Sequence, residues 1–223
     1  MINWIKRFWP QPMVASARDY WISPIGAFCG LAISEFISLK FLGSSNPWFI
    51  APMGASAVLL FAVPASPLAQ PWSIIGGNLV AATVAVTCAL FFGHAGWVAA
   101  VAAGLAIGIM MRLRCLHPPS GAVALTAVLG GAGVTNLGYQ FVLFPVLLNS
   151  ILLLIVALIF NNLFKRSYPH HAKLAAPVTM DVAITRRDIE AALKQNAETL
   201  DISEEDLESI LEQAEVIAKA RKK

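Results

Sequence analysis

The stretch Arg112-Leu113-Arg114-Cys115-Leu116-His117-Pro118-Pro119-Ser120-Gly121-Ala122 interrupts two apolar runs, at 97–111 and 119–130. Proline removes a backbone donor and pushes the residue before it out of the helical region, so the second run must begin abruptly at Pro119. That run is also short. A helix rises 1.5 Å per residue, and about 20 apolar residues are needed to cross a hydrocarbon layer of about 30 Å. The second run therefore predicts a helix that starts at membrane depth.

Further from this stretch the same arrangement recurs. Long apolar runs occupy 21–39, 73–92, 97–111 and 141–163, and a second short run, 53–63, follows Asn46-Pro47 and Ala51-Pro52. Pro52-Met53-Gly54-Ala55-Ser56-Ala57-Val58-Leu59 aligns with Pro119-Ser120-Gly121-Ala122-Val123-Ala124-Leu125-Thr126, sharing Pro, Gly and two Ala. Each short run is followed by a long run holding an asparagine, Asn78 and then Asn149. The order long, short, long, twice over, predicts two pseudo-symmetric halves, about 21–92 and 97–163, as in folds built from internal repeats.

Charge separates this region from the rest. Residues 1–164 carry six basic and two acidic side chains, whereas residues 165–223 carry ten basic and eleven acidic ones. With 57% hydrophobic and 13% charged residues in 223, the sequence reads as an all-α polytopic membrane protein with a soluble tail. That composition excludes a soluble enzyme, a nucleic-acid partner and a disulfide scaffold for the chain as a whole. The predicted divisions are a cytoplasmic segment 1–20, a transmembrane domain 21–165, a linker 166–184 and a helical hairpin 185–223. The hairpin is signalled by Thr185-Arg186-Arg187-Asp188 and Ser203-Glu204-Glu205-Asp206, each of which opens an amphipathic run. It is too small to be stable alone and should pack on the membrane domain, another subunit or a partner.

Lys6, Arg7 and Arg18 before the first run, with Lys165 and Arg166 after the last, place both termini in the cytoplasm and the chain in the cell inner membrane. An even number of crossings follows. The positive-inside count favours six, and the short second and fifth segments are then broken or re-entrant.

The residues suited to chemistry cluster at the breaks. A helix start directs N–H groups and the positive end of its dipole outward, which suits an anion. Pro118 and Pro119 set such a start, Ser120 adds a hydroxyl, Gly121 lets a ligand approach the backbone, and His117 can donate a hydrogen bond or carry a proton. Arg112 and Arg114 would attract anions to the mouth, or else sit on lipid headgroups. The matching start at Gly54 and Ser56 would face the first across a pseudo-twofold axis. Asn78 and Asn149 either line this site or bond neighbouring helices. Glu35, inside the first span, is a candidate proton relay, as is His117; Glu35 alternatively lies near the interface beside Lys40. His94, Cys115, His117 and Glu35 show no metal-ligand spacing, and neither a cofactor nor a catalytic triad is expected. Gly26-xxx-Gly30 and Gly104-xxx-Gly108 permit close helix packing, within the bundle or in a homo-oligomer.

The block Cys-Leu-His-Pro-Pro-Ser-Gly-Ala at 115–122, with Ala-Pro-Met-Gly-Ala-Ser-Ala at 51–57 and Gly-Gly-Asn at 76–78, resembles the HPP family of integral membrane proteins over about residues 15–165. The family is usually described with four transmembrane helices, the count obtained when the two short runs are not scored. Its members from photosynthetic organisms are associated with nitrite transport. The resemblance therefore implies a transporter or channel for a small monovalent anion, with nitrite first among the substrates. Two other readings stand beside it: a proton- or cation-coupled carrier centred on Glu35, and a non-transporting assembly or sensory protein that acts through its hairpin.

Overall fold

A computed structural model describes residues 17–42 and 51–170, with residues 8 and 211 in isolation. Most of the predicted N-terminal segment, most of the linker and the hairpin lie outside the described residues. Seven α-helices are described: α1 (Asp19–Leu42), α2 (Pro52–Ala62), α3 (Pro71–Phe92), α4 (Gly96–Arg112), α5 (Pro119–Leu129), the four-residue α6 (Ala132–Thr135) and α7 (Leu148–Leu163). A short 3-10 turn at Pro67–Ala69 precedes α3, and a π-helical segment at Val142–Leu147 leads into α7.

The prolines act as the sequence implies. Pro52, Pro71 and Pro119 each sit in the first turn of their helix, where the missing donor costs nothing. Three segments, Asp19–Lys40, Pro71–Phe92 and Val142–Leu163, are apolar over 22 residues and long enough to span a membrane. The fourth long run yields a helix of only 17 residues, α4, about 25 Å in length. Helices α2 and α5 have 11 residues each, about 16 Å and half a crossing.

Polar contacts fix the direction of each helix. Arg166, after α7, pairs with Asp19 at the start of α1, and its guanidinium donates to Phe61 O at the end of α2 (2.7 Å). The Tyr168 hydroxyl donates to Ala69 O just before α3 (2.6 Å), and the Trp72 indole N–H donates to Leu113 O just after α4 (3.1 Å). One end of the bundle thus gathers the start of α1, the end of α2, the start of α3, the end of α4 and the end of α7. At the far end His94, between α3 and α4, contacts Val128 O at the end of α5 (3.1 Å), and Thr87 of α3 contacts Tyr139 (2.9 Å). Near that end Ser38 of α1 bonds Asn149 of α7 (2.7 Å).

Among the described residues, six segments therefore run in alternating directions between the two ends. Two of these segments are completed by the half-helices α2 and α5, which start in the interior and finish at opposite ends. Both short segments are broken crossings rather than re-entrant loops. The packing has the symmetry of the repeat. Helix α1 lies on α2 and α7, as α4 lies on α5 and α3; α2 meets α5, and α3 meets α7. Exchanging the two halves leaves this pattern unchanged.

Helix α1 presents Ile22, Gly26, Gly30, Ser34 and Ser38 to the bundle, one buried residue per turn. A Cβ at Gly26 would lie 2.5 Å from the Phe61 ring, and one at Gly30 would lie 2.7 Å from it, so these glycines are recesses for that ring. The Gly26-xxx-Gly30 pattern is thereby used inside the bundle. Gly104 and Gly108 of α4 have nothing near and face outward. Arg166, counted from sequence as a basic flank of the last run, is buried as a clamp on the bundle end. Burial also raises the pKa of the Tyr168 phenol, which keeps its hydroxyl a donor to Ala69 O.

The six-pass arrangement gives a direct expectation for labelling. In a chain whose native cysteines are replaced, Leu113→Cys reacts from the side that holds Asp19 and Arg166, whereas Lys40→Cys and Gly133→Cys react only from the other. Membrane-impermeant thiol labelling of oriented vesicles reads this out, and Leu113 and Lys40 labelled from one side would contradict it.

Candidate functional site

The two half-helices begin beside each other in the bundle interior, and polar side chains join them there. His117, in the turn before α5, lies 2.9 Å through Nε2 from the Ser56 hydroxyl of α2. Its other nitrogen, Nδ1, is 2.8 Å from Leu68 O in the segment before α3. A carbonyl oxygen only accepts, so Nδ1 carries the proton. In the neutral ring Nε2 then holds a lone pair and accepts from Ser56. The Ser120 hydroxyl donates to Asn78 Oδ1 of α3 (2.7 Å), Asn78 Nδ2 donates to Ser150 of α7 (2.8 Å), and Ser150 donates to Val146 O (2.7 Å). Ser56, Asn78, His117, Ser120 and Asn149 have no exposed surface.

Gly77 makes this convergence possible. A Cβ on it would lie 2.8 Å from Cys115 O, 2.8 Å from the His117 Cβ and 2.9 Å from the Ser120 hydroxyl. The Gly-Gly-Asn and Cys-Leu-His-Pro-Pro-Ser stretches are thus two faces of one contact. The glycines admit the proline turn against α3, and Asn78 then reaches Ser120. Gly54 and Gly121 are half-buried, and neither has a described side chain in the space its Cβ would fill.

Several expectations change in detail. The first-turn N–H groups do not point freely into the site. Ser120 N bonds His117 O (2.9 Å), Gly121 N bonds Pro118 O (3.0 Å) and Gly54 N bonds Ala51 O (3.0 Å). Pro118 and Ala51 already have helical φ and ψ, so each helix closes with a tight three-residue turn that uses these donors. The groups left to meet a ligand are the hydroxyls of Ser56 and Ser120 and the His117 ring, with two helix dipoles behind them. Both asparagines make interhelical hydrogen bonds, Asn78 to α5 and α7, and Asn149 to Ser38 of α1. Asn149 belongs to a contact nearer the far end than the Ser56–His117 pair. Pro118 is exposed and Pro119 buried.

Arg112 and Arg114 are exposed at the end of the bundle that holds Asp19 and Arg166 and do not touch the buried site. Glu35 is half-buried on the flank of the α1 stripe and makes no hydrogen bond or ion pair among the described residues. His94 lies at the far end, beside a cavity of about 40 Å³ lined also by Val86, Ala127, Val134, Thr135 and Gly138. It is therefore remote from His117. Sequence reading passed over Ser38, Ser150 and the Leu68 carbonyl. The two serines were visible as small polar residues in apolar runs, but the carbonyl has no sequence signal.

These features define a polytopic helical membrane protein with two interrupted helices meeting inside an inverted repeat. Residues 12–169 match the transmembrane region of the HPP family, and the chain belongs to that family. Two transmembrane proteins of Dictyostelium discoideum are similar to it, at 36% and 34% identity over 165 residues. Each match covers 71% of this chain, and 58% and 53% of the respective relatives, so the chain matches little more than half of their length. No solved structure matches.

The contact at Gly77 predicts a sharp contrast between two glycines. Gly77→Ala forces α3 away from the proline turn and should cost about 1–3 kcal/mol, the usual penalty of overpacking. Gly104→Ala, whose methyl meets nothing, should be neutral or stabilise by about 0.5–1 kcal/mol through helix propensity. Thermal unfolding in detergent compares the two, and equal melting temperatures would contradict the contact.

Proposed function

We propose that this HPP-family membrane protein transports a small monovalent anion, with nitrite the first substrate to test. The observation that carries the reading is the Ser56–His117 pair, where two half-helix starts meet in the bundle interior. Two positive dipole ends, two hydroxyls and a protonatable ring converge there, with no carboxylate hydrogen-bonded to any of them among the described residues. Polar groups at such depth are costly unless they serve a path. The arrangement described is the closed one: Ser56 and His117 satisfy each other. An anion would pass by replacing that bond and taking hydrogen bonds from Ser56, Ser120 and His117.

The chemistry disfavours a cation at this point, since positive dipole ends would repel it. Glu35 would serve a cation better but has no bond to the network. A working hairpin with a passive membrane domain remains the rival class, and it makes the opposite prediction about variants. Homo-oligomerisation, through the outward Gly104 and Gly108 of α4, belongs to the same set of proposals, as does an inner-membrane location with cytoplasmic termini.

The test is anion flux into liposomes holding the purified full-length chain, comparing nitrite, nitrate, formate and chloride. His117→Ala should reduce flux about 10- to 100-fold, the equivalent of about 1.5–3 kcal/mol for a hydrogen bond to a charged group, while the protein stays folded. Removing residues 171–223 should leave flux largely intact. The reverse order of effects would transfer the function to the hairpin.

Arg114 should act at a distance. Arg114→Ala should lower the initial rate a few-fold at low ionic strength, and the difference should vanish near 0.15 M salt as screening sets in at about 8 Å. A salt-independent loss would place Arg114 in direct contact with the ion instead.

A further inference from the structure

We propose that His117 couples the anion to a proton, so that the two cross together as a neutral pair. The inference rests on the anion-transport reading above and deepens it. It follows from which atoms of the ring are already committed. Nδ1–H is held by Leu68 O at 2.8 Å, leaving Nε2 as the nitrogen that faces Ser56. In the neutral ring Nε2 presents a lone pair, which welcomes a hydroxyl proton and repels an anion. An anion can take the place of Ser56 at Nε2 only if that nitrogen gains a proton and becomes a donor.

The reverse dependence also holds. A proton on His117 creates a cation in an apolar bundle, and such a charge is costly unless paired. On α2 and on residues 63–70, which bear on the ring through Ser56 and Leu68, the sequence has no titratable residue. On α3, which bears on it through Gly77, there is only Cys88, toward the far end. On α5 and α7 there is none. In its own segment the titratable groups are Cys115 and the exposed Arg112 and Arg114, and on α1 the nearest carboxylate by sequence, Glu35, makes no bond to the ring. With no carboxylate bonded to the ring among the described residues, the incoming anion is the counter-charge. Each ligand raises the affinity for the other, a reciprocal coupling.

Ser56 is placed to allow the exchange. Its hydroxyl has a second acceptor, Pro52 O at 3.4 Å, one helical turn back. When Nε2 takes up a proton, the Ser56 proton can turn to that carbonyl; the bond between the two half-helices then reverses, with Nε2–H donating, and an anion can replace Ser56 as its acceptor. The proton enters from the solvent on the side that supplies the anion and leaves with it on the other. No covalent bond is made or broken except that between nitrogen and proton.

Liposomes containing the full chain and an internal pH dye test this, with nitrite and nitrate as probes. Nitrous acid crosses bare lipid, so protein-free vesicles are subtracted; nitrate, whose acid stays ionised, has no such leak. The expected result is one proton per anion, no response to an imposed potassium diffusion potential, and a rate that rises up to about tenfold per unit fall in outside pH, the mass-action limit for one proton. His117→Gln keeps an amide donor but cannot titrate, so its residual flux should carry no protons and should follow the potential. If that variant does not fold, the proton count of the wild-type protein decides alone. Protein-dependent anion flux that carries charge and no protons overturns the coupling and leaves the transport reading standing. The absence of protein-dependent flux for nitrite, nitrate, formate and chloride overturns both.

Discussion

The carbonyls of a helix's last turn have no partner within the helix, and much of this structure is the solution to that problem where α2 finishes at one end of the bundle. The carbonyls at and beyond the end of α2 are met one by one. Leu60 O accepts from Asn161, Phe61 O from Arg166, Pro64 O and Ser66 O from Gln70, Leu68 O from His117 and Ala69 O from Tyr168. Four of the five donor residues, Asn161, Arg166, His117 and Tyr168, come from the second half of the chain. At the end of α5, His94 meets Val128 O. Backbone buried at and beyond a helix end is tolerated only when its polar groups are bonded. The halves are thereby held together by backbone satisfaction as well as by apolar packing.

The same requirement locates the functional groups. A half-helix frees space and a dipole end at the level where it starts, and the small residues there let helices approach closely. Gly77 brings the His117 turn onto α3, while Gly26 and Gly30 receive Phe61, whose ring also stands edge-on to Phe160 with centroids 5.6 Å apart. The rigid end of α2 is thus anchored at Phe61 and Arg166. Its start at Ser56 depends on His117, a hydrogen bond that one proton can re-polarise. The firm contacts and the exchangeable one lie at opposite ends of the same short helix.

The sequence made most of this legible because proline and helix length act locally. The starts at Pro52 and Pro119 fell where the prolines put them, and the long runs became helices within a few residues of their apolar limits. The repeat was visible in Pro, Gly and Ala, and the packing carries its symmetry. What sequence could not supply was partner choice. Nothing in the order of residues says that Arg166 turns inward to Asp19 rather than outward to lipid, or that Asn149 bonds Ser38 while Asn78 bonds Ser120 and Ser150. Those choices depend on which helices neighbour one another. The expectation of free N–H groups at the helix starts failed for a nearer reason: Ala51 and Pro118 take helical angles, and their turns close on themselves.

The reading of this HPP-family chain as an anion carrier depends on the state of one ring. Solid-state NMR of the protein in lipid, with ¹⁵N in histidine and the His117 signals assigned by substitution, observes it directly. Without anion, Nδ1 should appear protonated and Nε2 bare and hydrogen-bonded; with saturating nitrite at mildly acidic pH, both nitrogens should appear protonated. A ring protonated at Nε2 in the absence of anion, or a spectrum unchanged by nitrite, would contradict the account.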